Sequence, residues 1–283
     1  MLLSALLLAS APAPHTAPPV PQDRRAQVTA RYEELAAAGD REGLAQLWRD
    51  NVGLVLQTID GDLEGSLALW EASPETPPTE EIDALHTRAL FGASVAAEAI
   101  DRPLLLDYAT SFVGWTEPEK HAFRAGQAVY GRAVQELREG DKEVAYAAGL
   151  ETVERAMALG DWWGAAMGYG VRGEAARAQG FHEDALSNLS LARALNHALG
   201  LEYSEYRNLQ GMLGAARALE RLPRSLAIAR ELAGSAEAFG DAEGLRSALG
   251  AQAELEEALG HAEAAAATRA RLAGLDSAGT DGE

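Results

Sequence analysis

The chain contains no cysteine, and its only lysines are Lys120 and Lys142. Without cysteine it can form no disulfide, carries no thiolate nucleophile and offers no Cys ligand to a metal. The scarcity of lysine accompanies an acidic excess, because 43 Asp and Glu residues outnumber 24 Lys and Arg residues and give a formal net charge of −19. This charge opposes binding to nucleic acid, which requires cationic side chains against phosphate. It keeps an alanine-rich chain soluble and, among partners, favours a basic protein surface.

Aromatic residues are also few, at 6% of the chain, and runs of β-branched residues are absent. Because strands are enriched in these residue types, we expect no β-sheet. Alanine and leucine dominate instead, together with Arg and Glu, and all four favour helices. The composition therefore predicts an all-α protein, and its Ala-rich, Lys-poor character is typical of a high-GC bacterial genome.

Long hydrophobic runs are missing as well. An apolar run at residues 2–9 resembles the core of a signal peptide but is far shorter than the roughly 20 residues that span a bilayer. No Lys or Arg precedes this run, and a proline follows each candidate cleavage site, at Ala11 and Ala13. We expect residues 1–23 to be a signal-like segment with a proline-rich spacer, which predicts an exported protein, periplasmic or extracellular, with no stable membrane span. The alternatives are an uncleaved anchor and a mis-set start codon, and the latter would leave a cytoplasmic protein.

A repeat of 40 residues organises the rest of the chain. Its turn motif reads Leu159-Gly160, Leu199-Gly200 and Phe239-Gly240. A second turn lies half a period away, and a small residue follows it five places later, at Ala145, Ala185, Ser225 and Ala265. Each period thus divides into two helix-compatible halves. A helical hairpin of this kind cannot cover its own apolar stripe, so the sequence predicts a stack of hairpins.

These residues resemble the tetratricopeptide repeat in a lengthened form, over residues 119–275. The resemblance rests on a large apolar residue in the first helix, a small or apolar one four places later, the turn glycine and the Ala-Leu pair that follows it. The large positions are Val129, Tyr169, Leu209 and Leu249, and the positions four later are Ala133, Gly173, Leu213 and Ala253. The chain departs from the family where a leucine is usual, with Arg132, Arg172, Met212 and Gln252. The resemblance implies a right-handed superhelix, an α-solenoid of antiparallel helix pairs.

We divide the chain accordingly. The segments are the signal-like segment and spacer at 1–23, an N-terminal helical hairpin cap at 24–72, a repeat array at 80–275 and a disordered tail at 276–283. Within the array, 80–118 is a degenerate hairpin, and the clear repeats begin at 119. The prolines of residues 73–79 cannot continue a helix and separate the cap from the array. Inside the cap, Asp60-Gly61-Asp62 predicts a turn between a helix that ends at Ile59 and a short helix from Leu63.

The motifs that could bind a ligand or take part in catalysis are better explained by structural roles, or lack the spacing that such a function requires. Gly168, Gly170 and Gly173 match the glycine pattern of a dinucleotide-binding turn, but that pattern requires a strand before it, whereas here it lies within one helical half-repeat. We assign these glycines to close helix packing. The six histidines lack metal-ligand spacing, and no nucleophile elbow is present. The sequence therefore predicts no enzyme, no cofactor and no metal site.

Two unusual features remain in the array. Trp162 and Trp163 point about 100° apart on a helix, so we expect one in the core and the other over a neighbouring repeat or in a binding groove. Arg172 replaces the usual leucine. Either the repeat register is locally shifted here, or its aliphatic stem packs while its guanidinium reaches a carboxylate such as Glu136 or Glu174.

By the same resemblance, arrays of this family bind a peptide or partner helix in a concave groove that the first helices line. Carried over by position, the groove residues are Gln127, Tyr130, Met167, Glu174, Arg177, Arg207, Gln210, Arg217, Ser247 and Glu254. Three of them, Arg177, Arg207 and Arg217, are expected to face one wall and to accept a segment with acidic groups beside apolar ones. The sequence thus predicts a protein-interaction scaffold. The alternatives are a self-association module that forms a homo-oligomer, and an all-helical small-molecule sensor or enzyme.

Overall fold

The computed structural model describes residues 22–280, and within this range it contains thirteen α-helices and no strand. The helices are α1 Gln22–Ala38, α2 Arg41–Asp50, α3 Val55–Ala72, α4 Thr79–Ala99, α5 Pro103–Gly114, α6 Glu117–Glu139, α7 Lys142–Leu159, α8 Trp162–Ala178, α9 His182–Ala198, α10 Glu202–Ala218, α11 Leu222–Phe239, α12 Ala242–Ala258 and α13 Ala262–Thr280, with one 3-10 turn at Val52–Leu54. Consecutive helices pack against each other along the array. The prediction of an all-α solenoid is therefore confirmed.

Four helical hairpins follow the 40-residue period: α6 with α7, α8 with α9, α10 with α11, and α12 with α13. The first helices of neighbouring hairpins also touch, α6 against α8 and α8 against α10. At the turns between hairpins, Gly160 and Gly240 end a helix in the left-handed region. The aspartate that follows each glycine accepts a hydrogen bond from a backbone N–H of the next helix, Asp161 from Gly164 and Asp241 from Gly244. The glycine ends one helix and the aspartate caps the next, as this turn sequence requires.

The small residues of the repeat lie at the closest helix contacts. Ala145, Ala185, Ser225 and Ala265 are at most 1% exposed. A Cβ on Gly168 would lie 2.8 Å from Val153 Cγ2, and one on Gly173 would lie 2.6 Å from Leu189 Cγ. Gly170 differs, because its nearest neighbour would be Asn208 Nδ2 at 3.8 Å. The assignment of these glycines to close packing is thus confirmed for Gly168 and Gly173 and wrong for Gly170.

Residues 22–115 form a helical unit, the N-terminal bundle, which packs against the turns of the array. One continuous apolar core joins α1–α5 and the start of α6 to Leu199 and Leu201, the residues on either side of Gly200. Leu159, Trp162 and Trp163, at the preceding turn, also pack on this core. Trp115 Nε1 donates a hydrogen bond of 2.8 Å to the Leu159 carbonyl. The bundle therefore contacts two successive turns between hairpins.

The predicted turn at Asp60-Gly61-Asp62 is wrong, because α3 runs through it without a break. Both aspartates have partners inside the bundle. Asp62 accepts hydrogen bonds from Tyr32 Oη at 2.8 Å and from Arg88 Nε at 2.9 Å, and Asp60 accepts one from Tyr108. These tertiary contacts outweigh the local preference of Asp and Gly for a turn.

At the two ends of the chain, α1 begins at Gln22, and residues 1–21 of the signal-like segment lie outside the described range. The last helix continues to Thr280, beyond the end near Leu275 that the sequence suggested, and residues 281–283 of the predicted tail are not described. Within the described range, no helix is both long and apolar enough to cross a membrane.

Candidate interaction surface of the first helices

The predicted groove residues occupy four recurring positions on α6, α8, α10 and α12, which we call the first-helix row. The first position holds Gln127, Met167, Arg207 and Ser247, and the second holds Tyr130 and Gln210. The third holds Glu174 and Glu254, and the fourth holds Arg177 and Arg217. Adjacent positions are three or four residues apart, so they share one helix face.

Glu174 and Arg177 connect α8 to α10. Arg177 Nη2 lies 2.7 Å from Glu174 Oε2. A Cβ on Gly211 would collide with the Glu174 carboxylate, and a Cβ on Gly214 would lie 3.8 Å from Arg177 Cδ. The two charged side chains therefore lie over small residues of α10.

Arg217 connects α10 to α12, with its Nη2 2.8 Å from Glu254 Oε2. Both side chains are exposed, and an exposed ion pair contributes less than about 1 kcal/mol to folding. Two of the three expected arginines, Arg177 and Arg217, are thus already paired with carboxylates of the same row. The third, Arg207, is half-buried and makes no ion pair with the described side chains, which are those of residues 23–275.

Gln127 belongs to the contact between the array and the N-terminal bundle. Its Nε2 donates a hydrogen bond of 3.0 Å to Glu64 Oε1, and its Oε1 accepts one of 2.8 Å from Arg124 Nη1. Arg124 in turn forms ion pairs of 2.7 Å with Glu64 and with Glu71. The bundle therefore engages the α6 end of the row, a contact that could not be predicted from the sequence.

The remaining row residues differ in exposure. Tyr130 is half-buried beside Ala133 and Val134, and desolvation raises its pKa. Met167 and Gln210 are also half-buried, while Ser247 and Glu254 are exposed. The accessible part of the row thus lies on α8, α10 and α12.

Glycines with open space occur along the same row. A Cβ would meet nothing within 4 Å at Gly250, and would have its nearest neighbour at 3.8 Å at Gly170 and Gly214. Gly170 and Gly250 share the second position with Tyr130 and Gln210, and Gly214 shares the third. A glycine inside a helix costs roughly 0.5–1 kcal/mol relative to alanine, and no internal packing explains it here. These positions leave the helix backbone accessible to a bound segment.

The structure differs from the predictions made for Trp162 and Trp163 and for Arg172. Both tryptophans, and not one, pack against the core of the N-terminal bundle. The Arg172 guanidinium lies 4.4 Å from the Tyr146 ring centroid, and its Nη2 donates a hydrogen bond of 2.8 Å to Tyr146 Oη. The expectation that it reaches Glu136 or Glu174 was wrong, because the aromatic ring of the preceding second helix is nearer.

Buried carboxylates lie where the bundle meets the array. Asp60 accepts a hydrogen bond from Tyr108, and burial together with the charge of Glu64 raises its pKa to about 7. Burial likewise raises the pKa of Asp161, the cap of α8, to about 6. Arg124 is the cation that faces this group. The sequence did not reveal this cluster, because Asp60 was assigned to a turn and Asp161 lies about 100 residues further along the chain.

Among the described side chains, those of residues 23–275, no three His, Asp or Glu groups are arranged to hold a metal ion. No protein-family model matches the chain, and no curated protein matches it.

Proposed function

We propose that this protein is a scaffold for protein interactions and binds a peptide segment along the first-helix row of α8, α10 and α12. The observation that carries this proposal is Arg207, a half-buried cation that has no ion partner in the described part of the chain and lies in the row. Burying a charge without a partner is unfavourable, so a carboxylate from a ligand would stabilise the Arg207 guanidinium by pairing with it.

The neighbouring positions favour a bound peptide over a small molecule. Gly170, Gly214 and Gly250 remove side chains from the first helices of three successive hairpins, which lets a second backbone approach. Half-buried Met167 offers apolar contact beside Arg207. The expected ligand therefore presents a carboxylate next to an apolar side chain, and arginine suits it because the planar guanidinium binds carboxylates through two hydrogen bonds.

The ion pairs Glu174–Arg177 and Arg217–Glu254 lie further along the same row, towards the C-terminal ends of the helices, and are weak enough to exchange partners. A ligand carboxylate could therefore replace Glu254 on Arg217 at little net cost. This exchange limits the gain in affinity, and we expect a dissociation constant in the micromolar range, about −8 kcal/mol.

The test begins with peptides selected from a random library on the full chain, which are then measured by calorimetry. Arg207→Ala should weaken binding roughly tenfold or more, or about 1.4 kcal/mol, without changing the melting temperature. Arg224→Ala is the matched control, because Arg224 is an exposed arginine of α11 that also has no ion pair within the described residues. Equal affinity for the wild type and Arg207→Ala, or a loss only with Arg224→Ala, would place the binding site elsewhere.

A further inference from the structure

The second helix of the first clear repeat, α7, carries an exposed line of residues that nothing in the array covers. Its members are Glu143, Ala147, Leu150, Glu154 and Met157, and all five are exposed. Their spacing alternates between four and three residues, which places them in one line along a helix and is the spacing of a coiled-coil seam. Leu150 is 37% exposed and Met157 45% exposed. We call this line the α7 seam.

The repeat itself does not require large apolar residues at these positions. The equivalents of Leu150 and Met157 are Ser190 and His197 in α9, and Arg230 and Glu237 in α11. Single exposed apolar residues are common on protein surfaces, but here the exposed large ones gather on adjacent second helices. Within the described side chains they are Val144, Leu150, Met157, Phe181 and Leu191, all in α7, in α9 or in the turn before α9.

A depression lies one period further along the second helices. Between α9 and α11, a shallow depression of about 390 Å³ is lined by Leu186, Ser190 and Arg221 among others. One period earlier, the equivalent residues of α7 and of the turn before α9 are Tyr146, Leu150 and Phe181. By this equivalence the surface beside the seam is more apolar than the depression that follows it.

Two carboxylates of the seam lack a cation. Glu143 and Glu154 make no ion pair with any side chain that the structure describes. The nearby cations are engaged, since Arg132 and Arg155 both pair with Glu151, at 3.1 Å and 2.9 Å. The seam therefore presents apolar side chains between uncompensated negative charges.

We propose that the α7 seam docks an amphipathic helix of another protein, whose apolar stripe covers Ala147, Leu150 and Met157 and whose Lys or Arg side chains pair with Glu143 and Glu154. Helices that bind in a groove do so through apolar anchors three, four and seven residues apart, which is the spacing that the seam offers. A second copy of this chain fits less well, because it would bring the same carboxylates and a net charge of −19. This surface is separate from the first-helix row and does not depend on it.

The probe is a fluorescent synthetic helix of about 18 residues, made of Leu and Lys with leucines three and four residues apart. A Leu/Glu peptide of the same pattern serves as the charge control. Fluorescence anisotropy with the full chain should show binding of the Leu/Lys peptide and none of the Leu/Glu peptide. Leu150→Ser with Met157→His, which installs the residues of the next repeat, should weaken binding tenfold or more. Glu143→Gln with Glu154→Gln should weaken it several-fold and reduce its salt dependence.

Matched control variants distinguish binding of the Leu/Lys peptide at the seam from non-specific electrostatic attraction of this cationic peptide to an acidic protein. Val144→Ser removes an equally exposed apolar residue that lies about 120° around α7 from Leu150, and Glu80→Gln with Glu81→Gln removes two exposed carboxylates of α4. Both controls, and Arg207→Ala, should bind the peptide as the wild type does. Equal losses in the seam and control variants would overturn the proposal. So would a dimer seen by light scattering that Leu150→Ser with Met157→His dissociates, because the occupant would then be a second copy.

Discussion

Tyr108 donates a hydrogen bond of 2.6 Å to Oδ1 of Asp60, and the two side chains join α5 to α3 where the N-terminal bundle meets the array. The cluster around them contains the carboxylates Glu64 and Asp161 and the cation Arg124. A protonated Asp60 is therefore the form that this site favours.

This cluster makes stability depend on pH. The pKa of Asp60 is about 7 in the folded protein and about 4 in an unfolded chain, so between these values the folded state holds a proton that the unfolded state has lost. The contribution of Asp60 to stability is thus complete below about pH 4 and decreases as the pH rises to about 7. Asp161, with a pKa of about 6, acts in the same direction.

The variant Asp60→Asn keeps an oxygen that accepts the Tyr108 hydrogen bond but cannot ionise. We expect it to melt at a higher temperature than the wild type at pH 8, and we expect the difference to shrink towards pH 5. Thermal melts of both proteins across this range measure the effect, and the difference removes contributions that they share, such as the lowered pKa of His86. A constant difference between pH 5 and pH 8 would contradict a raised pKa at Asp60.

The fold class and the repeat frame were predictable from the sequence because the same packing constraint recurs every 40 residues. The repeat position of Ala145 and Ala185 requires a small residue because the helices of a hairpin come closest there. A small residue that recurs in the sequence therefore marks this helix contact. The docking of the N-terminal bundle was not predictable in this way. Leu159, Leu199 and Leu201 form part of a turn motif in sequence, and only the tertiary structure gives these apolar side chains a bundle to pack against.

The ion pairs of the arginines also fall into two groups. Some recur with the repeat, and others occur only once in the chain. The ion pairs Arg217–Glu254 and Arg221–Glu183 join residues of neighbouring repeats, at separations close to one period, and could be anticipated from the frame. Arg124 pairs with Glu64 and Glu71 of α3, which have no counterpart in the repeats. A contact that occurs once leaves no periodic signal, and this is why Gln127 was assigned to an open groove.

The contact between bundle and array should contribute strongly to stability. Leu199 is fully buried in the core shared with the bundle, so Leu199→Ala should destabilise the protein by about 2–5 kcal/mol. Leu191→Ala, at a residue that is 47% exposed in the same region of sequence, should have an effect below about 1 kcal/mol. Urea unfolding with two spectroscopic probes makes the measurement. Equal small effects at both leucines would mean that the bundle does not pack on the turn at Gly200.

Two helical glycines of the first helices allow a test that separates packing from function. A Cβ on Gly211 would lie 2.8 Å from Leu189 Cδ1 and would also collide with the Glu174 carboxylate, whereas a Cβ on Gly250 would meet nothing within 4 Å. We therefore expect Gly211→Ala to destabilise the protein by about 1–3 kcal/mol through overpacking. Gly250→Ala should instead stabilise it by about 0.5–1 kcal/mol, because alanine restricts the unfolded chain and favours the helix.

The same pair bears on the first-helix row. If Gly250 is kept because a ligand backbone approaches α12 there, Gly250→Ala should raise the unfolding free energy while lowering the affinity for the library-selected peptides several-fold. Denaturant unfolding and calorimetry on the one variant give both values. A variant that is more stable and binds equally well would show that the open glycine has no role in recognition, and would confine the binding contact to Arg207 and its neighbours on α8 and α10.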